Sequence, residues 1–454
     1  MNAFPSIALA FAIVAPGSAD DWSMYLRNAA HTSFNASESQ LDKTNVASLT
    51  PVWTYSKPGW LIASAVTVSQ GVAYFGDWKG YFHAVRADDG TELWSQYVGL
   101  SEPGETMECS GALGVTSQSM LAGDVVYVGG GDSAVYALDR NSGQQLWRTP
   151  LADSQSGSYL WSSIMVSQNA LYLGVASLAD CPLVRGGIVR ISLDAPDQPL
   201  IRYLVPEDEL GGGVWSTPAI DVASNTVFVT TGTGDQDAAR GAWGGTLLAL
   251  DATTLDIKAY YFLPTNSLLD DIEWGSSPTL FETADGTRLV GATGKDGYLY
   301  ALSRDDLSLV WTTRLAVSCL CPECGCGSLS TPSFDGNMLY VGAGVDDPEG
   351  TDSGSIYAIA PSTGEVVWKN GLDGTVIAPT TVANGVVYAA SLTGLLAFEA
   401  QTGELLWRDG TQTISYAQPV VVDGVLYSTY LKGNVVAWQV AARGGSSARP
   451  GRLR

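Results

Sequence analysis

The sequence predicts an all-β fold, an eight-bladed β-propeller of four-stranded antiparallel sheets whose ring is closed by a strand near the N-terminus. Three observations predict it. A unit of apolar strand, Gly-containing turn, apolar strand and a second turn leading to two apolar residues and Trp recurs along nearly the whole chain. The composition is that of a packed, turn-rich β protein, with 51 glycines, 14 tryptophans, 46% hydrophobic and only 15% charged residues. Finally, Pro51 to Tyr55 (PVWTY) has the form of the unit's last strand without the strands that should precede it, while the last unit lacks that strand. One sheet cannot bury both of its faces alone, whereas eight stacked radially can, and the orphan strand then completes the last blade.

Taken in order, residues 1–19 hold the apolar run Ile7 to Val14, Pro16-Gly17-Ser18-Ala19 and then Asp20-Asp21, which reads as a signal peptide cut after Ala19. No Lys or Arg precedes the run, so a short buried strand is the other reading. No other segment approaches the ~18 apolar residues of a membrane span, and the mature protein is expected to be periplasmic or secreted. Residues 20–440 form the propeller. Its clearest units begin at Val72, Val125, Ser355 and Val386, weaker ones surround Leu171, Val227 and Arg288, and an eighth starts at Leu426. Each alternates apolar and polar residues at period two. The recurring Trp53, Trp94, Trp147, Trp311, Trp368 and Trp407 take equivalent positions, where an indole packs between neighbouring blades. Residues 441–454 carry four arginines among Gly, Ser and Pro and are expected to be disordered.

Net charge and rare residue types narrow the function. A formal charge of -23 repels nucleic acid and anionic membranes, so partners should be neutral or cationic. With only His31 and His83, a zinc hydrolase or Ser-His-Asp site has almost no material. Cys319, Cys321, Cys324 and Cys326 crowd into eight residues, a zinc or iron-sulfur loop in a reducing compartment or two local disulfides in an oxidising one; Cys109 and Cys181 could form a third bridge. No Cys-x-x-Cys-His occurs, so this chain carries no c-type haem.

The Trp-ending repeat, with DDWSMYLRNAAHTSFNASESQLDKTNVASLTPVWTYS from Asp20, resembles the pyrroloquinoline quinone (PQQ) alcohol dehydrogenase superfamily and, within it, polyvinyl alcohol dehydrogenase-like proteins. Three segments carry the resemblance into the site. In GVWSTPAIDVASNTVFVTTGT from Gly213, Trp215 takes the place of the Trp beneath the PQQ ring, Asp221 follows at the family spacing, and Thr233 replaces the family's calcium-ligating Asn. In DDIEWGSSPTLF from Asp270, Glu273 falls where the family has the Asp that accepts the alcohol's proton, with Asp270 and Asp271 as alternatives. In GATGKDGYLYAL from Gly291, Lys295 stands where a cation hydrogen-bonds the quinone oxygens and polarises them toward hydride attack. An acidic loop and a solvated turn lysine are the plain structural readings of the last two.

Departures from the family pattern accompany these matches. ECSGALGVTS offers Cys109 alone where many relatives have two adjacent cysteines over the ring, and no Arg lies between Glu108 and Leu121 to hold a PQQ carboxylate. SLADCPLVRGG has no clear match to the calcium-binding Glu, although Asp180 is close. The resemblance implies PQQ and calcium as cofactors, an alcohol, secondary and polymeric ones included, as substrate, and a separate electron acceptor such as a cytochrome. The assembly lipoprotein BamB shares the repeat, so two functions stay open: PQQ-dependent alcohol oxidation, or a non-catalytic propeller that binds an extracellular or periplasmic partner.

Overall fold

The computed structural model describes residues 21–101, 111–180, 182–265, 271–318, 325–347, 349–411 and 413–440. The expected signal peptide, Asp270, the basic tail and every cysteine except Cys326 lie outside them; Cys326 is buried and disulfide-bonded.

Eight antiparallel blades follow one another in chain order around a central channel. Blade 1 consists of Thr67–Ser69, Val72–Gly76, Tyr81–Arg86 and Glu92–Tyr97, running from the channel outward. In blade 8, Val420–Val422, Val425–Tyr430 and Asn434–Val440 are joined on the outer side by Leu49–Ser56. The orphan strand therefore closes the ring as expected, with Thr54 opposite Val436.

The expected period-two alternation holds only in part. Outer strands alternate, as in Leu309–Arg314, but second and third strands such as Val386–Ser391 and Gly394–Glu399 are buried at every position. The cause is sandwiching: an inner strand has a neighbouring blade on both faces, so neither face tolerates polar residues. One core cluster, for example, joins Tyr340 and Ile356 of blade 6 to Val387 and Phe398 of blade 7.

Each of the six recurring tryptophans follows a register shift in its outer strand, where one extra residue is inserted against the partner. The bulge turns the indole into the blade interface and pushes the inserted residue out. Val52, Leu93, Leu146, Val310 and Val367 are accordingly between 47% and 52% exposed despite being apolar. Four of these indoles donate to a carbonyl on the turn of the next blade: Trp53 to Ala87, Trp94 to Arg140, Trp311 to Pro361 and Trp368 to Ala400. That turn needs glycine. At Gly364, with φ +75, a Cβ would come within 2.5 Å of the Trp311 ring. Trp311→Phe should keep the packing but strip the Pro361 carbonyl of its donor, lowering stability by about 1–3 kcal/mol, measurable as a drop in the thermal or denaturant midpoint.

Two devices bind the blades at the channel. An N-terminal arm, residues 22–35, passes the innermost strands and bonds to seven of them, at Val68, Leu121, Ile220, Leu280, Phe334, Val382 and Val421. Its His31 is fully buried against the Pro278 carbonyl, and burial pushes its imidazole down to about 4, so it is neutral. Further along the channel, backbone N–H groups reach hydroxyls of the next blade: Gln118 to Ser163 (3.0 Å), Ser163 to Thr217 (3.0 Å), Thr217 to Ser277 (2.9 Å) and Ser277 to Thr331 (3.2 Å).

Candidate functional site

The residues immediately before each innermost strand ring the channel mouth. Trp215 sits four positions before Ala219–Asp221 in blade 4, and Glu273 leads into Thr279–Glu282 in blade 5. Lys295 lies in the turn between Arg288–Thr293 and Tyr298–Ser303, so blades 4 and 5 present three of the sequence candidates to one place. Thr233 follows the second strand of blade 4, Thr226–Thr230, and Asp180 follows Ala170–Ser177 of blade 3.

All five, with Asp271, line a cavity of about 440 Å³. Trp161, Trp215 and Leu329 also line a second cavity of about 390 Å³ within the channel, so they form the partition between the two. Trp161, from Leu160-Trp161-Ser162-Ser163, is a site residue that the sequence reading missed. Its signal was available, because it repeats Val214-Trp215-Ser216-Thr217 one blade earlier.

Glu273 is the centre of the site. It is 5% exposed, and every oxygen has a donor: Trp215 Nε1–H (2.9 Å) and the Lys295 ammonium (3.0 Å) on Oε1, and the Thr233 backbone N–H on Oε2. A side chain at Gly232 would place its Cβ 2.8 Å from Oε2, so glycine there lets the backbone close on the carboxylate. Burial pushes Glu273 up to about 7; Lys295 pulls it back, while Asp271 and Asp180 push it further.

Lys295 also donates to both oxygens of the half-buried Asp271, at 2.8 Å each. Burial pulls its ammonium down, but the carboxylates of Glu273 and Asp271 outweigh it and hold it above the ordinary lysine range. The ammonium lies 5.8 Å from the Trp215 ring centroid, a cation beside an indole face. Asp180 stands at the exposed rim, its carboxyl raised by burial against the pocket and by the charge of Asp271.

Trp215, Glu273 and Lys295 therefore come together as expected, and Asp271 proves to be the chelator of Lys295. Among the described residues no group of three His, Cys, Asp or Glu side chains converges to hold a metal ion, and the part of Thr233 that meets the site is an N–H donor. Cys109, expected over the ring, lies outside the described residues. Glu273-Trp274-Gly275 is fixed by pairing with Lys295 and Thr293, through Lys295 N–H to the Glu273 carbonyl (2.9 Å) and Gly275 N–H to that of Thr293 (2.7 Å).

Comparison with known proteins places this architecture. The chain is 24% identical over 401 residues to a polyvinylalcohol dehydrogenase of Sphingopyxis sp. (strain 113P3), covering 78% of this chain and 59% of that protein. It is 23% identical over 408 residues to a polyvinylalcohol dehydrogenase of Pseudomonas sp., covering 78% and 62%. It thus spans less than two thirds of the length of either relative. A europium-containing methanol dehydrogenase superposes with a TM-score of 0.76 at 16% identity, over 93% of this chain and 98% of that one. The quinohemoprotein alcohol dehydrogenase of Comamonas testosteroni gives 0.72 at 17%, over 98% and 83%. At such identities the structures show the fold alone.

The class is therefore an eight-bladed β-propeller with the fold that these dehydrogenase structures share. A family model described as outer membrane protein assembly factor BamB matches residues 36–180 and 295–445, more than half of the sequence, and the chain belongs to that family.

Proposed function

We propose that the chain oxidises an alcohol with PQQ, passing the electrons to a separate acceptor. The observation that carries the reading is the convergence on one cavity of a flat indole, a buried ammonium and a buried carboxylate poised near 7. The residues present fit the quinone ring: Trp215 offers a stacking face and Lys295 a fixed positive charge at its edge. When bound, PQQ supplies a two-electron hydride acceptor. The chain's part is to orient the alcohol and take its hydroxyl proton at Glu273, whose carboxylate stands in the cavity wall as a base with a pKa suited to neutral pH. Loss of that proton and of the carbinol hydride leaves a carbonyl product. Two relatives named polyvinylalcohol dehydrogenase support a secondary or polymeric alcohol as substrate.

An exported location is supported by the apolar leader-like segment before Asp20. No helix among the described residues is long and apolar enough to cross a membrane. The net charge of -23 favours an acceptor that is neutral or cationic at its docking face.

A second reading, a binding propeller without catalysis, is favoured by one specific observation: Lys295 is the single cation among the described lining residues, set against Asp180, Asp271 and Glu273, while PQQ brings three carboxylates of its own. Titration with PQQ, read by tryptophan fluorescence and then by dye reduction with primary, secondary and polymeric alcohols, separates the two. Saturable quenching with alcohol-dependent reduction is expected. Trp215→Ala should weaken PQQ binding by about 1–3 kcal/mol, the range for losing one aromatic stacking partner. No saturation at tens of micromolar PQQ, roughly -6 kcal/mol or weaker, would favour the binding propeller.

A further inference from the structure

We infer that the resident cation of this cavity is the Lys295 ammonium and that the site takes no divalent metal ion. The inference concerns the same cavity as the proposed function, but it does not depend on turnover or on PQQ.

Asp180, Asp271 and Glu273 on one wall would suit a hard cation only if their oxygens were free to converge on it. At the two inner carboxylates they are not. Oε1 of Glu273 accepts from Trp215 and Lys295, Oε2 accepts from the Thr233 backbone, and both Asp271 oxygens accept from Lys295. A calcium ion needs oxygen ligands at about 2.3–2.6 Å, with no N–H aimed at the same lone pairs. The Thr233 donor belongs to the backbone and cannot rotate away. It is held by the neighbouring bonds of Gly232 N–H to the Gly213 carbonyl (2.7 Å) and Gly212 N–H to the Thr233 carbonyl (2.9 Å).

Nor is Lys295 a loose surface side chain that an ion could displace. Its backbone N–H is bonded to the Glu273 carbonyl (2.9 Å), the residue is 9% exposed, and its ammonium is held by two carboxylates at once. A divalent ion on these oxygens would meet a fixed positive charge at the distance of a second ligand shell. The site's positive charge is therefore built into the chain and independent of metal supply.

The test uses the full mature protein, stripped with chelator and free of PQQ. Calcium is titrated by calorimetry, and terbium is titrated by luminescence sensitised through Trp215. Wild type should show neither a calcium site nor a terbium signal that depends on Glu273 and Asp271. Lys295→Met, which leaves the three carboxylates without their counter-charge, should gain calcium affinity by about tenfold or more. Lys295→Arg, which restores the charge, should behave as wild type and controls for loss of folding. Adding Asp271→Asn to Lys295→Met should remove the gain.

Calcium binding by wild type that Glu273→Gln or Asp271→Asn abolishes overturns the inference. So does a folded Lys295→Met variant with no gain. Weak binding that all these variants share belongs to the acidic surface and leaves the comparison between Lys295→Met and wild type to decide. Failure of PQQ to bind or of alcohol to be oxidised would sink the proposed function without touching this result, because the ion is read in the protein without PQQ.

Discussion

Glu273→Gln should lower kcat by about 10²–10⁴-fold, the range for removing a positioned general base, while PQQ still quenches the protein's fluorescence. Among the described lining residues Glu273 is the one buried acid, and the substitution leaves the proposed stacking face of Trp215 in place. Glutamine is not a silent replacement. Three donors converge on the carboxylate, so one of them must face the new amide NH₂, and stability should fall by about 1–3 kcal/mol. The assay therefore belongs well below the melting midpoint, with PQQ binding measured alongside; full activity in the folded variant would remove Glu273 as the base.

The same residue gives a pH signature. Activity in the wild type should rise through an apparent pKa near 7, because Glu273 must be ionised to accept a proton. Its effect on stability has the opposite sense. With the folded value raised above the ordinary carboxylate range, its contribution is fully present below that ordinary range and is lost as pH rises through about 7.

Lys295→Met should cost about 10²–10³-fold in kcat, the range seen when one preorganised donor to developing negative charge is removed. It should also move the acidic limb of the pH profile upward, since the ammonium pulls Glu273 down. Asp271→Asn should move that limb downward, because the charge of Asp271 pushes Glu273 up. Opposite shifts from two neighbouring residues are what a coupled site produces, whereas simple unfolding moves neither limb. If both substitutions left the limb where it is, the pair would not control the base. Lys295→Met also leaves buried Glu273 without its counter-charge, so a lower melting midpoint is expected with it.

Much of this was legible in the residues, for physical reasons. Repetition exposes a propeller because each blade repeats one solution to one packing problem, and the orphan Pro51 to Tyr55 showed where the circle closes. The six tryptophans were visible for the same reason. Their bulges were not, because an inserted residue such as Leu93 or Val310 looks like one more apolar strand position until its register is seen.

In the site, Trp215, Glu273 and Lys295 could be placed because each sits in a segment of recognisable form. What sequence could not supply was who holds whom. Asp271 and Glu273 are two residues apart and of like charge, yet one chelates the lysine from the rim while the other is buried beneath it. Trp161 escaped because Leu160-Trp161-Ser162-Ser163 shares only the short form of the Trp215 segment, and its place in the cavity wall is set by the fold. The side chain of Thr233, where the resemblance has a calcium-ligating Asn, was visible in the sequence, whereas the contact of its backbone N–H with Glu273 was not.

The arm beneath the blades has a consequence for how the molecule comes into being. Its residues are made before any blade, yet Ser33 pairs with Val382 and Asn35 with Val421, partners that belong to the last two blades. The strand that seals the circle is likewise early sequence waiting for late sequence, Leu49–Ser56 against Asn434–Val440. Such separations make folding slow and tie its last step to the arrival of the C-terminal blade. An open solenoid can lose a terminal repeat and keep the rest. In this circle the first and last repeats are neighbours threaded on one cord, so trimming either end should unlock all eight blades together.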